Sequence, residues 1–443
     1  MRTSLLDRMR DRLRAGVALA ERRGASAAAI AFGQSESIGC AFESGRLKHA
    51  GSQESASYTV AVVLQGRRGV TSGNRLEDIE TMVERAIVLA RAGSVAHFER
   101  YPAPRPFTRV AMHSPSTLAL TREGLIGVCG GMVERLRALD AELDINASAS
   151  RSEREGVVVT SAGLCHESRT TLWGLGAGVQ RTAGTDMLFA GSGRSWREVN
   201  GFFDPDYIVG EIQRDLDRGA RFAVSPEGEV PVYLPPEAFA GFVDQALGGV
   251  NGRSVAKGTS PLRGHLGERY FDPGLTIVDT PHIDFCPDAA EVDPAGIPTR
   301  PCTIIDGGVI RMFLYDLDTA GLADAEPTGH AGCSPWSPEV LPGDSPSAAM
   351  LAGIEDGLYI KSLLGFGQSN IDNGDFSCNV ALGFRIRHGE LVGRVKNTMI
   401  AGNLYECLRR GVRLSSDRDP ILRMPHAVLQ GIVAHGAPGQ AAG

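Results

Sequence analysis

One predicted helix has polar positions where a catalytic metal could be held, but its residue types do not suit that chemistry. In VYLPPEAFAGFVDQALGG (232–249), apolar side chains recur at helical spacing after Pro235 and Pro236, which predicts an amphipathic helix. Asp244 and Gln245 fall on its other side. A zincin helix needs two histidines one turn apart with a glutamate between them, and H-E-x-x-H occurs nowhere in the chain.

Other histidines and cysteines leave two combinations open for a zinc site, His282 with Cys286 and His330 with Cys333. An isolated histidine is more often hydrogen-bonded than metal-bound, so we expect no metal in this chain. Cys378 could act as a nucleophile, but it precedes an apolar strand, where a small buried thiol is the better interpretation. A G-x-S-x-G nucleophile elbow is absent from the sequence.

Glycine-rich segments offer a second kind of chemistry, the binding of an extended chain. GFGQSN (365–370) and GLGAGV (174–179) begin like nucleotide-binding loops, but both lack the third glycine of G-x-G-x-x-G. Residues 357–404 are typical of strands separated by a glycine-rich loop and a tight hairpin. Small residues let another backbone lie close, so this segment could bind a peptide at a sheet edge. The alternative is that residues 357–404 are simply part of a domain core, whose turns would give the same glycine-rich pattern.

Composition and charge exclude several classes of protein. The net charge is −7 and the arginine pairs are scattered, whereas nucleic-acid binders carry a basic stripe. Charges interrupt residues 1–25 every few positions, which rules out the apolar core of a signal peptide there. No apolar run approaches the roughly 20 residues of a membrane span. We therefore predict a cytoplasmic protein that binds neither nucleic acid nor membrane, with its eight cysteines reduced.

The order of predicted elements indicates an α+β fold in several domains. Apolar periodicity predicts helices at 5–17, with Ser4 as a plausible cap, and at 75–93, 121–143, 207–222 and 237–247. Short β-prone stretches lie between them, and IDGGVI and RHGELV predict hairpins. We expect an N-terminal α/β layer and an antiparallel meander region, followed by a mostly antiparallel β domain with a few helices. The predicted boundaries are 1–100, 112–225 and 228–434, with 435–443 as a disordered tail.

Over nearly its whole length the chain resembles the TldD/PmbA family, and within it the PmbA (TldE) branch. The resemblance rests on GLYIKSLLGFGQSNIDNGDFS, NTMIAGNL, PTGHAG and PVYLPPEAFAGFV in this order, together with the N-terminal segment SGRLKHAGSQESASYTVAVVLQGRRGVTSG. It implies that TldD-type chains carry H-E-x-x-x-H on the corresponding helix and hold a catalytic zinc there. PmbA-type chains lack that motif and pair with a TldD-type subunit, and the pair cleaves unfolded or small peptides. An older association with DNA gyrase gives the family its name of modulator, which we treat as indirect.

Aligned on this helix, Asp244, Gln245 and Gly249 take the places of the first histidine, the glutamate and the second histidine. A neutral amide cannot act as a general base near pH 7, and glycine has no ligand atom. The resemblance thus implies a chain without its own catalytic residues or cofactor, whose TldD-type partner holds the zinc. It predicts a non-catalytic subunit that forms half of a peptide chamber.

The chamber lining follows from the same resemblance. Our candidates for contacts with the peptide are six residues: Gly365, Gly367, Asp375, Phe376, Ser377 and His330. Two other functions stay open, a stand-alone peptide-binding or regulatory homodimer and a hydrolase with an unfamiliar site of its own. We expect a hetero- or homodimer. A neighbouring TldD-type gene would favour the heteromeric subunit over the homodimer, and metal content distinguishes the hydrolase.

Overall fold

The computed structural model describes residues 5–75, 79–368 and 371–436. The predicted cap Ser4 and residues 437–443 of the predicted tail lie outside these ranges, whereas His435 and Gly436 belong to the last strand. The helices are α1 (Leu5–Arg22), α2 (Ile79–Ala92), α3 (Pro115–Leu118), α4 (Arg122–Leu139), α5 (Pro205–Arg218), α6 (Pro236–Leu247), α7 (Gly252–Lys257), α8 (Leu317–Ala323), α9 (Ser347–Ala352) and α10 (Leu404–Cys407).

The N-terminal part is built on a six-stranded antiparallel sheet in the order β3-β2-β1-β4-β5-β6. Its strands are β1 (Ala27–Glu43), β2 (Arg46–Leu64), β3 (Arg67–Gly73), β4 (Asp144–Thr160), β5 (Cys165–Ala183) and β6 (Asp186–Trp196). The pairing of β1 with β4 joins both predicted N-terminal ranges into one sheet, across the boundary placed near residues 100–112. Helices α1, α2, α4 and α5 pack on this sheet.

These strands are much longer than the short stretches that the sequence predicts. β1 has 17 residues and β2 has 19. Their apolar alternation is interrupted in the middle, at QSES in β1, because that part lies between two separate cores. One core holds Ile30 against α1 and α2, and the other holds Cys40 against α4. The polar residues in the middle of β1 therefore mark a gap between two cores rather than the end of the strand.

The C-terminal part contains two further sheets. The larger follows the order β12-β7-β17-β15-β13-β14 with β16 on β17, and β12 also pairs with β13, which closes five strands into a ring. The smaller has the order β10-β9-β8-β11. Their strands are β7 (Gly228–Leu234), β8 (Ile277–Asp279), β9 (Cys302–Asp306), β10 (Val309–Ile310), β11 (Pro338–Val340), β12 (Asp356–Leu364), β13 (Asp375–Arg387), β14 (Glu390–Arg394), β15 (Thr398–Asn403), β16 (Arg413–Arg418) and β17 (Pro425–Gly436).

The predicted fold class is confirmed, since antiparallel strands dominate and the helices lie between or beside them. The hairpins β9–β10 and β13–β14 form at IDGGVI and RHGELV. Among the described strand pairs of the large sheet, β7 with β12 is the parallel one. The third core lies where α6 packs against β7, β12 and β17. This core fixes the position of the helix whose polar face the sequence singled out.

Candidate functional site

Helix α6 forms where the sequence predicts it and buries the predicted apolar stripe. Pro235 has an extended backbone and Pro236 opens the first turn, where a missing N–H costs no hydrogen bond. Phe239 and Phe242 are fully buried. The α-helix ends at Leu247, and the chain continues as a 3₁₀ turn over Gly248–Val250.

Asp244 and Gln245, the first two degenerate positions, lie on different sides of the polar face of α6. Asp244 reaches solvent, yet partial burial raises the pKa of its carboxyl group, and the negative charge of Asp288 raises it further. Gln245 is half-buried, and its Nε2 lies 3.6 Å from the point where a Cβ on Gly367 would stand. The structure thus brings the predicted loop glycine beside the position of the lost general base.

Gly249, the third of these positions, is crowded by neighbouring side chains, which would have to shift to admit a Cβ. It is buried, and a Cβ built there would lie 2.6 Å from the hydroxyl oxygen of Tyr405 and 2.8 Å from Cδ1 of Leu262. The hydroxyl of Ser260 also donates a hydrogen bond to the carbonyl oxygen of Gly249 at 2.5 Å. Neighbouring side chains therefore fill the space that a second histidine would need.

The glycine-rich loop after β12 is fastened to α6 by Phe366. Its ring stacks on Phe242 with 4.5 Å between centroids, and it meets the edge of Phe376 at 5.6 Å. Gly365 and Gly367 flank it with φ of +82° and +92°, which only glycine adopts without strain. Residues 369 and 370 of this loop lie outside the described ranges.

The remaining loop candidates alternate along β13. Phe376 is buried beneath the loop, whereas Asp375 and Ser377 are exposed. The side chain of Asn403 donates a hydrogen bond to Oδ1 of Asp375 at 2.8 Å. Cys378 is buried, and burial raises the pKa of its thiol to about 11, which agrees with the interpretation as a structural thiol. Asp375 and Ser377 are the members of this set that face outwards.

A cleft of about 570 Å³ opens over the polar face of α6, and we call it the α6 cleft. Asp244 and Gly248 line one side of the cleft. Residues from later loops, including Asp288 and Trp336, also line it. Its other lining residues include Cys286, Pro335, Ile421, Leu422 and Arg423. Nothing local in the sequence around Asp288 or Trp336 marks these residues as neighbours of α6.

Charge in the α6 cleft is mainly negative. Burial raises the pKa of Asp288, while the positive charges of Arg423 and Arg197 oppose the increase. Arg423 is itself buried and engaged elsewhere, since it donates to the hydroxyl of Ser337 at 2.5 Å and lies 3.6 Å from Glu339. Along the described chain, neither Asp244 nor Asp288 has an ion-pair partner within 4 Å. The cleft thus favours a ligand with positive charge.

The α6 cleft continues into a second cavity of about 510 Å³ through shared lining residues. Its floor is the N-terminal sheet, where Ser148, Gly176 and Gly193 stand opposite one another on three neighbouring strands. Gly174 extends the same surface. The segment GLGAGV, which resembled a nucleotide loop, is therefore the middle of β5 and leaves its backbone uncovered by side chains.

His330 lies in a different place from the α6 cleft. It is 1% exposed, its Nε2 lies 3.0 Å from Oδ2 of Asp279, and its Nδ1 lies 2.9 Å from the hydroxyl of Thr328. Cys302 Sγ stands 4.0 Å from the same Nε2. The structure thus pairs His330 with Cys302 and Asp279 rather than with Cys333.

The two sequence-based metal combinations do not assemble. Cys333 Sγ accepts a hydrogen bond from the amide of Asp316 at 3.3 Å. Nε2 of His282 lies 3.0 Å from the hydroxyl of Thr299, and Sγ of Cys286 lies 3.3 Å from the hydroxyl of Ser337. Of the described residues, Asp279, Cys302 and His330 form the one group of three metal-ligating side chains whose donor atoms all lie within 4.8 Å.

Comparisons with known proteins find relatives of the C-terminal part of this chain. Residues 227–436 match the family model described as the PmbA/TldA metallopeptidase C-terminal domain. A metalloprotease of Methanothermobacter thermautotrophicus is 29% identical over 43% of this chain and 44% of its own length. Metalloprotease PmbA of Escherichia coli O157:H7 is 30% identical over 50% of this chain and 52% of its own length. The matches thus span about half the length of these two relatives.

The likeness in fold extends over nearly the whole chain. The crystal structure of TldE from Thermococcus kodakarensis superposes with a TM-score of 0.86 and 21% identity, covering 96% of this chain and 100% of that one. Residues 227–436 thus form a C-terminal domain of the PmbA/TldA metallopeptidase type. Over nearly its whole length the chain shares the fold of that TldE structure. Within the described ranges, no helix combines the length and apolarity that crossing a membrane requires.

Proposed function

We propose that this chain is the non-catalytic subunit of a heteromeric zinc metallopeptidase that cleaves unfolded or small peptides. The observation that carries the proposal is the closure of position 249 by Tyr405 and Leu262. With glycine there and glutamine at 245, Asp244 is the one metal-ligating group left on the motif positions of α6. A catalytic zinc needs three protein ligands, so the residues of α6 do not fit it.

The zinc then belongs to a TldD-type partner, and this chain contributes surface. The α6 cleft and the adjoining cavity together form a groove whose floor is backbone and small side chains. A bare backbone surface accepts an extended peptide without excluding bulky side chains, which suits a broad range of sequences. The exposed carboxylates of Asp244 and Asp288 add attraction for basic peptides.

The loop beside α6 supports the same role. Gly367 lies next to Gln245, and Asp375 and Ser377 face outwards on the strand that follows. These residues are placed to contact a peptide that extends beyond the cleft. His330 and Phe376 are buried, so their contribution is to hold the surrounding loops rather than to touch the peptide.

The test is a reconstitution with a TldD-type chain from the same organism. We expect no hydrolysis of a fluorogenic unstructured peptide by this chain alone or by the zinc-stripped partner alone. The mixture of this chain with the zinc-loaded partner should hydrolyse the peptide. Light scattering after gel filtration should show a complex that contains both chains. Chelation should abolish cleavage by the mixture, and added zinc should restore it.

Two results would contradict the proposal. Cleavage by this chain alone would show a catalytic site of its own. Equal activity of the zinc-loaded partner with and without this chain, together with a homodimer in light scattering, would favour the stand-alone peptide-binding protein instead.

A further inference from the structure

We propose that Asp279, Cys302 and His330 form a zinc site with three protein ligands, separate from α6. The three residues come from β8, from the start of β9 and from the loop before the 3₁₀ turn at Ala331–Cys333. Imidazole, thiolate and carboxylate are the ligands that zinc takes in proteins. None of the three lines the α6 cleft, so this site is distinct from the proposed peptide groove.

The donor atoms already stand close to the spacing that zinc requires. With Zn–N and Zn–O bonds of about 2.0 Å and a Zn–S bond of about 2.3 Å, tetrahedral donors lie roughly 3.3–3.8 Å apart. In the structure Nε2 of His330 is 3.0 Å from Oδ2 of Asp279 and 4.0 Å from Sγ of Cys302. Shifts below about 1 Å at these two contacts would admit the ion, and a water molecule would complete a four-coordinate shell.

Neighbouring groups orient these donors in the way that metal sites require. The amides of Trp336 and Ser337 donate to the two carboxylate oxygens of Asp279 at 3.1 and 2.6 Å. The hydroxyl of Thr328 contacts Nδ1 of His330, which leaves Nε2 directed at the other two donors. Such outer contacts fix the ring and the carboxylate before a metal arrives.

Cys302 is the member of this group nearest to solvent. His330 and Asp279 are 1% and 0% exposed, whereas Cys302 is only partly buried. Binding would displace the thiol proton of Cys302 and the proton shared between His330 and Asp279, and both protons would pass to the solvent. The metal-free protein still folds, because the hydrogen bond between His330 and Asp279 satisfies both groups.

The site would brace one wall of the α6 cleft. Asp279 holds the amides of Trp336 and Ser337, and Trp336 also donates its indole N–H to the carbonyl oxygen of Gly329 at 2.9 Å. Trp336 lines the cleft. An ion between β8, β9 and His330 would therefore fix the loop 329–337 at both ends.

The experiment measures zinc uptake by the full-length chain on its own. After treatment with EDTA and gel filtration, we expect the wild-type protein to take up one equivalent of Zn²⁺, by mass spectrometry of the metal, and to melt at a higher temperature with the ion. Cys302→Ser should lose both effects. Cys333→Ser is the matched control, because this buried thiol lies in the loop of His330 but outside the site. This variant should bind zinc like the wild type.

Two further measurements keep the proposal falsifiable. Co²⁺ should give a thiolate charge-transfer absorption in the wild-type and Cys333→Ser proteins, and none in Cys302→Ser. Asp244→Asn should retain zinc uptake. The proposal is overturned if the wild type takes up no zinc, if Cys302→Ser binds as well as the wild type, or if uptake disappears in Asp244→Asn, which would place the ion at α6. These readouts need no partner chain and do not depend on the proposed function.

Discussion

Gly249 lies in the 3₁₀ turn after α6, where Tyr405 and Leu262 occupy the space beside its Cα. Both neighbours are buried, so they cannot move into solvent to make room. The absence of a ligand at this position is therefore more than the loss of one side chain. Restoring a histidine at 249 would also require a change in the packing around it.

Substitution of Gly249 by alanine tests this directly. Because the added methyl group would overlap Tyr405 and Leu262, we expect Gly249→Ala to lower the free energy of unfolding by about 1–3 kcal/mol. Gly248→Ala is the matched control, since a Cβ there meets nothing within 4 Å and its backbone is already helical. We expect that control to change stability by less than about 1 kcal/mol. Urea denaturation compares the two, and equal stabilities would show that position 249 is open.

At the scale of elements, the packing of α6 against the glycine-rich loop links the degenerate helix to the predicted peptide-binding segment. Phe366 is the contact, since it lies on Phe242 of the helix and beside Phe376 of β13. The glycines on each side of Phe366 allow the backbone of the loop to turn, and the ring of Phe366 fixes the loop against α6. The position of Gly367 beside Gln245 follows from this one anchor.

We expect Phe366→Ala to free the loop from α6. Loss of two aromatic contacts and of apolar burial should cost about 2 kcal/mol in the free energy of unfolding. Limited proteolysis should also cut the chain near residues 364–374 faster than in the wild type. The control is Leu364→Ala, whose side chain is 62% exposed and should change stability by less than about 0.5 kcal/mol. An unchanged cleavage rate in Phe366→Ala would mean that other contacts hold the loop.

At the scale of the whole molecule, buried ion pairs join the N-terminal sheet to the C-terminal part. Arg394 of β14 is 3% exposed, and it donates to Asp186 at 2.5 Å and to the carbonyl oxygen of Met187 at 3.1 Å. Burial by itself raises the pKa of Asp186, but hydrogen bonds and charges from Arg394 and Lys396 overcome it and leave the pKa below its usual value. The pair thus fixes β6 against β14.

Removal of Arg394 should leave the carboxylate of Asp186 without its main partner. We expect Arg394→Met to lower the free energy of unfolding by about 1.5–3 kcal/mol at pH 7, since Lys396 still pairs with Asp186 at 3.2 Å. Arg387→Met is the control, because that side chain is 52% exposed in its ion pair with Asp356 and should cost less than about 1 kcal/mol. Urea denaturation of both variants measures the difference, and equal losses would show that burial adds nothing.

The same pair makes stability depend on pH. A carboxyl group whose pKa is lowered on folding stabilises the protein above its usual pKa of about 3.9, and this contribution is lost as the pH falls through that value towards the folded pKa. Because Asp186 is such a group, Arg394→Met should lose less stability than the wild type between about pH 5 and pH 3. Parallel urea curves across that interval check the sign, and a steeper loss in the variant would contradict it.

The sequence by itself determined the main helices, two hairpins and the residue types on the polar face of α6. Helical periodicity, a double proline and turn glycines are local features, and they correctly predicted the helix, its buried stripe and the hairpins β9–β10 and β13–β14. The residues at 244, 245 and 249 can be compared with a metal motif without any coordinates. Local signals sufficed to predict these elements because each signal depends on residues that are close together in the sequence.

The tertiary structure alone decided which distant residues meet. It joined the two N-terminal ranges into one sheet, placed GLGAGV in the floor of a groove, and brought His330 to Cys302 rather than to Cys333. It also showed that Tyr405 and Leu262 close position 249. These contacts join residues 13 to 156 positions apart, and such pairs are set by how sheets and helices pack. No local periodicity encodes that packing, so the sequence could name the groups but not their neighbours.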